Sequence, residues 1–163
     1  MRNEERPTSA GQSATQPSSL MPHASHRHQI RIRYAETDNM GVVYYANYLT
    51  FFEVGRVEYL RSVGSDYKAL EDSGLVAAVT EALVRYTAPA RFDDVLTICT
   101  RLAELGKVRI RFEYEIWRES DSTLVASGYT EHALLERGTL RPVRLPEAIR
   151  DGIRRFEARA RQG

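Results

Sequence analysis

One cysteine, Cys99, stands in the 163 residues, so no internal disulfide can form. The chain therefore does without the oxidised staples of small secreted domains, which fits a reducing cytoplasm. An excess of charge is missing too: 23 Lys and Arg against 22 Asp and Glu leave a formal charge of +1. Proteins that grip nucleic acid through its phosphates carry a strong basic excess, and this chain has none. No apolar run approaches the ~18 residues that read as a membrane span. The N-terminus lacks the apolar core of a secretory signal, and no P-loop or dinucleotide fingerprint occurs. Secretion, membrane insertion and bulk DNA binding are disfavoured together.

What is present is the balance of a soluble globular domain, 42% hydrophobic and 28% charged residues. A domain of this size buries roughly 68–70% of the surface its unfolded chain exposes, enough to fold without a metal. Residues Met1 to Arg27 are an exception: Ser, Thr, Gln, Pro and Ala dominate, and Leu20 is nearly the only large aliphatic side chain. Such a segment cannot offset its ordering entropy, so residues 1–27 are expected to form a disordered tail and 28–163 one domain. Met21 is a second candidate start. His23, His26 and His28 invite a metal assignment, but structural zinc sites recruit four ligands on a folded frame, and a solvated polar tail is the better reading.

From about Gln29 the pattern becomes regular. Ile30, Ile32 and Tyr34 alternate with Arg31 and Arg33, the period of a half-buried strand. A polar turn, Glu36 to Gly41, leads to a helical stretch from about Tyr45 to Val63. Tyr48, Phe52, Gly55, Tyr59 and Val63 recur at steps of three and four, and the stripe widens through Leu49 and Leu60. Gly55 in mid-helix costs roughly 1 kcal/mol against Ala, which close approach to a wrapped sheet would compensate. Glu53 and Arg56 stand at the spacing of an i,i+3 ion pair.

Beyond Leu75 the chain reads as β. Leu75–Ala88 and Val95–Leu102 are strands. Val108, Ile110, Phe112, Tyr114 and Ile116 alternate with Lys107, Arg109, Arg111, Glu113 and Glu115, one face wet and one dry. Leu124–Leu135 adds another strand. An amphipathic helix after Pro146, with Ile149, Ile153 and Phe156 inward, closes the chain. The expected fold is α+β: a strand, a long helix, then an antiparallel meander of about four strands curved around that helix.

Chemistry concentrates between Tyr34 and Gly64. Asp38 lies in a glycine-containing turn ahead of a helix, whose first N–H groups and partial positive charge suit a developing oxyanion. A carboxylate there can attack a carbonyl or activate water. It can equally cap the helix or merely complete a turn.

The run Asp38-Asn39-Met40-Gly41-Val42-Val43-Tyr44-Tyr45, with Asn47-Tyr48, Phe52-Glu53, Arg56 and Glu58, resembles the hot-dog-fold acyl-CoA thioesterases. The group is the 4-hydroxybenzoyl-CoA thioesterase-like one, and within it the branch associated with the Tol–Pal system. Pro89–Asp94, Gly128–His132 and Arg141–Pro146 match in the same order. The resemblance implies a hot-dog fold, with dimers that commonly assemble into tetramers and sites at the dimer interface. It implies hydrolysis of acyl- or aroyl-CoA to free acid and coenzyme A, without metal or prosthetic group. Asp38 takes the place of the catalytic carboxylate, nucleophile or general base, and the Tyr45 backbone N–H that of the donor polarising the carbonyl. Tyr34 takes a position near the site in some relatives, and with Gly41 and Glu53 it is expected to bind substrate. Some hot-dog enzymes use a helix carboxylate in catalysis, as Glu53 could, but its spacing to Arg56 favours a structural pair. Where that branch often has histidine this chain has Tyr45, whose reference pKa of ~10 rules out imidazole-like proton transfer near neutrality, while the backbone donor survives.

Other residues read more plainly. Asp93 and Asp94 are turn residues, His132 a hydrogen-bonded core or interface histidine, Cys99 a packed small side chain, and Arg91 one arginine among many that could meet a coenzyme A phosphate. Competing functions are a non-catalytic acyl-CoA-binding module or sensor, and a hot-dog dehydratase, which needs a histidine that Tyr34–Gly64 lacks.

Overall fold

The computed structural model describes residues 24–64 and 72–162 of the chain. Within them the order is β1 (His26–Arg31), α1 (Asn47–Ser62), β2 (Leu75–Tyr86), β3 (Val95–Leu105), β4 (Arg109–Arg118), β5 (Thr123–Glu136) and α2 (Glu147–Ala160). The strands form one sheet in the order β1-β3-β4-β5-β2, every neighbour antiparallel.

The alternation in β4 decides which face is dry. Ile110, Phe112, Tyr114 and Ile116 are buried against α1, while Arg109 is exposed on the other face. A one-residue slip would invert every one of these side chains, so this strand pins the register of its neighbours. The path differs from a plain meander. Only β3, β4 and β5 follow one another across the sheet; β2 crosses to the far edge and pairs with β5, Leu75 opposite Glu136 and Tyr86 opposite Ala126. That crossing puts the short β1 at one edge and the long β2 at the other.

Order also begins earlier than the alternation predicts. β1 starts at His26, with Arg27 opposite Cys99, so both residues belong to the sheet rather than to the tail. Ladder hydrogen bonds to β3 hold these polar residues, a gain that hydrophobic periodicity cannot register. Residues 1–23 of the expected tail, His23 and Met21 included, lie outside the described residues.

α1 buries Tyr48, Phe51, Phe52, Gly55, Tyr59 and Leu60. Leu49, expected on the covered stripe, is 43% exposed, and Phe51 takes its place. Phe52 stacks on Tyr114 at 4.3 Å, and Tyr59 meets Phe112 and Phe156 edge-on. Each such fully buried aromatic contributes on the order of 2–3 kcal/mol. The expected Glu53–Arg56 ion pair does not form. Glu53 is exposed, whereas Arg56 turns inward to the Tyr114 hydroxyl and His132.

Gly55 explains itself. A Cβ there would sit 2.6 Å from Thr100 Oγ1 and 2.7 Å from Ile98 Cγ2, so the helix backbone lies directly on β3. In a free helix Gly→Ala gains about 1 kcal/mol; here overpacking, typically about 1–3 kcal/mol, opposes it. Gly55→Ala should therefore lower stability by about 1–2 kcal/mol, seen as a reduced urea midpoint at unchanged slope.

Candidate active site

The loop between β1 and α1 is built by a dense set of local bonds. A 3-10 turn at Tyr34–Glu36 is closed by Glu36, whose carboxylate accepts from the Arg33 N–H at 2.8 Å. Thr37 and Val43 then bridge antiparallel, making the residues between them a tight excursion. Inside it the Asp38 N–H donates to the Val42 carbonyl, and the Gly41 N–H to the Asp38 carbonyl, both at 2.9 Å. Gly41 has φ +73°, left-handed backbone that glycine adopts without penalty. One carboxylate oxygen of Asp38, Oδ1, accepts the Met40 N–H at 2.8 Å. Among the described residues Asp38 has no ion-pair partner, so its charge is not consumed by a cation of its own chain.

The chain next turns into α1. The Tyr44 N–H and the Asn47 side-chain amide both donate to the Glu36 carbonyl at 2.9 Å, tying the helix start to the turn. Asn47, Tyr48 and Leu49 N–H groups donate to the carbonyls of Tyr44, Tyr45 and Ala46. The N–H groups of Tyr45 and Ala46 have no acceptor among the described residues, and no side chain caps the helix. Unpaired donors at a helix N-terminus are what an oxyanion requires.

Around these donors runs a shallow groove of about 290 Å³, walled by Val42, Val43, Tyr45, Tyr48, Tyr86 and Pro89. Tyr48 is buried, and burial pushes its hydroxyl up to about 12. Tyr44 is raised above its ordinary value, first by a hydrogen bond with the Tyr45 hydroxyl and further by the charges of Tyr45 and Asp38. Both remain protonated near neutral pH, donors rather than bases. Asp38 is not in the groove wall of the single chain.

Of the expected substrate residues, Tyr34 is 78% exposed and meets Phe92 edge-on at 5.8 Å. Gly41 sits in the turn with Asp38, and Arg91 reaches it from the β2–β3 connection, Nη1 3.5 Å from its carbonyl. The Arg91 backbone is held by Asp94, whose carboxylate accepts its N–H at 2.8 Å. The structure thus brings Arg91, one of many arginines in the sequence, to the turn. It does not tie Glu53 to the turn by any hydrogen bond or ion pair among the described residues, and a substrate role for that residue rests on resemblance alone. Tyr86 escaped the sequence reading altogether; its only signal is an aromatic at a strand end just before Pro89.

A family described as the thioesterase-like superfamily matches residues 32–153. The chain belongs to the thioesterase-like superfamily. It is 32% identical over 122 residues to an acyl-CoA thioesterase, YbgC, of Haemophilus influenzae, covering 74% of this chain and 88% of that protein. Among solved structures, a DHNA-CoA thioesterase from Staphylococcus aureus superposes with a TM-score of 0.78 at 31% identity, covering 84% of this chain and 93% of the other. A thioesterase complexed with coenzyme A and zinc from Thermus thermophilus gives 0.72 at 29%, covering 85% and 98%. These likenesses establish the hot-dog architecture of this thioesterase-like chain.

His132 lies apart from the turn. It is 1% exposed, and its Nε2 shares a 2.8 Å hydrogen bond with Thr130 Oγ1, as a core histidine should. Cys99 is equally buried, its thiol pushed up to about 11. Burial, then the Arg56 charge, holds His132 down at about 4. The unfolded chain, near 6.5, takes up that proton first, so stability is full above about pH 6.5 and falls as pH drops toward 4. The loss is on the order of 2–3 kcal/mol. Denaturation midpoints across that window should show it, and His132→Gln should flatten the slope, leaving the smaller share of His26, which burial also lowers.

Proposed function

We propose that this protein hydrolyses the thioester of acyl- or aroyl-CoA, with Asp38 as nucleophile or general base and the Tyr45 N–H as oxyanion donor. The observation that carries this reading is the pairing of an Asp38 carboxylate without a salt bridge and unaccepted N–H groups at the start of α1, in one loop. In the general-base route, water adds to the thioester carbon as its proton passes to Asp38. The oxyanion is held by Tyr45 N–H; its collapse breaks the C–S bond, and the coenzyme A thiolate leaves and takes a proton. In the nucleophilic route Asp38 forms a mixed anhydride that water then cleaves. Both end at free acid and coenzyme A, with no metal or prosthetic group.

Tyr34 and Gly41 flank the substrate in this reading, and water-excluding cover comes from a second copy. Tyr34, Met40, Tyr44, Tyr45, Tyr86 and Phe92 are exposed large apolar side chains on the loop, the β2 end and the β2–β3 connection, the kind of surface that marks an interaction site. A homodimer across this surface, with dimers pairing into tetramers, would bring the Asp38 turn of one copy against the groove of the other. A cytoplasmic site of action completes the proposal.

Asp38→Asn should lower kcat by about 10²–10⁴-fold with an unchanged circular dichroism spectrum. The assay is a panel of acyl- and aroyl-CoA thioesters with thiol detection. Near wild-type turnover would remove Asp38 from the mechanism. Tight acyl-CoA binding by the wild type without thiol release would make the chain a binding module instead.

A further inference from the structure

Among the groove-wall side chains that the mechanism has not used, Tyr86 alone hydrogen-bonds to the backbone at the start of α1 among the described residues. Tyr86 is the last residue of β2 and pairs with Ala126 of β5, so its backbone is fixed by the sheet. Its ring is braced edge-on by buried Tyr48 at 5.4 Å and by Tyr45 at 6.5 Å. From there its hydroxyl donates to the Tyr45 carbonyl at 3.1 Å. The other donor to that carbonyl, the Tyr48 N–H, is distant at 3.4 Å.

The peptide unit is planar and trans, so its N–H points opposite to its carbonyl. Holding the Tyr45 oxygen therefore sets the direction of the Ala46 N–H, and limits rotation of the adjoining peptide that carries the Tyr45 N–H. A donor on the carbonyl also polarises the unit and strengthens its N–H as a donor. We infer that Tyr86 is a positioning residue: its hydroxyl holds and polarises the Tyr45–Ala46 peptide, orienting the Ala46 N–H and restraining the adjoining Tyr45 N–H that the proposed mechanism aims at the substrate carbonyl. The role reaches the site from the opposite edge of the fold, through β2, and rests on the thioester-hydrolase reading above.

Tyr86→Phe keeps the ring and removes only the hydroxyl. It should lower kcat about three- to tenfold, the worth of one hydrogen bond, with little change in KM. Amide exchange at Asn47, Tyr48 and Leu49, whose acceptors are the carbonyls of this turn, should quicken several-fold in the same variant. Tyr86→Leu removes the groove wall as well and should raise KM on top of the loss in kcat. A rise in KM alone for Tyr86→Phe would make Tyr86 a wall of the groove and overturn the positioning role. Unchanged exchange overturns it whatever the activity. Should the wild type hydrolyse no thioester at all, the proposed function fails, and exchange alone still decides whether the hydroxyl holds the turn.

Discussion

The contact at Gly55 governs where everything else can be. With no Cβ in the way, the backbone of α1 settles onto Ile98 and Thr100 of β3 at a distance no other residue allows. The helix is then sunk into the curve of the sheet, Phe52 lies flat on Tyr114, and Tyr59 reaches Phe112. A helix seated this deeply has a fixed N-terminus. It emerges beside the end of β2 and the loop from β1, where the unaccepted amides of Tyr45 and Ala46 meet Tyr86, while the Asp38 turn precedes them in the same loop and stays out of the groove wall. Polar groups that a helix ordinarily commits to a cap are left available because the turn is held by Glu36, Asn47 and Tyr86 instead.

The same depth shapes the polar interior. Arg56 lies on the inward side of α1, and the Tyr114 hydroxyl, Thr130 and His132 form a buried hydrogen-bonded chain beneath it. His132 Nδ1 has no hydrogen-bond partner among the described residues, and burial together with the Arg56 charge keeps the imidazole neutral. The candidate site lies at the N-terminal end of α1, whereas this polar chain lies on β4 and β5 beneath Arg56. The first is open and rich in exposed tyrosines; the second is closed. Burial keeps His132 neutral, whereas Asp38, in the open turn, is the candidate acid or base.

Much of the fold was legible from periodicity. The β4 alternation from Ile110 to Ile116, the helix through Tyr48 to Tyr59 and the inward stripe Ile149, Ile153 and Phe156 of α2 all stand where the pattern puts them, and Gly55 announced a close approach. What misled the reading has a common cause. Leu49 is as apolar as Phe51 and sits at a plausible step, and only the angle at which α1 meets the sheet exposes one and buries the other. Glu53 and Arg56 have ion-pair spacing, yet the pull of the Tyr114 hydroxyl and the interior takes Arg56 away. His26 and Arg27 look like tail until the pairing of β1 with β3 is known.

Composition and alternation were therefore sufficient for the class of fold, since each is encoded within a few neighbouring residues, and turn chemistry marked Asp38 only as a candidate whose catalytic role comes from family resemblance. The placement of β2 at the far edge, and with it Tyr86 and Arg91 at the turn, was decided by tertiary structure alone. Strand order depends on pairing between segments distant in the chain, and a local pattern carries no record of which strand will lie beside which.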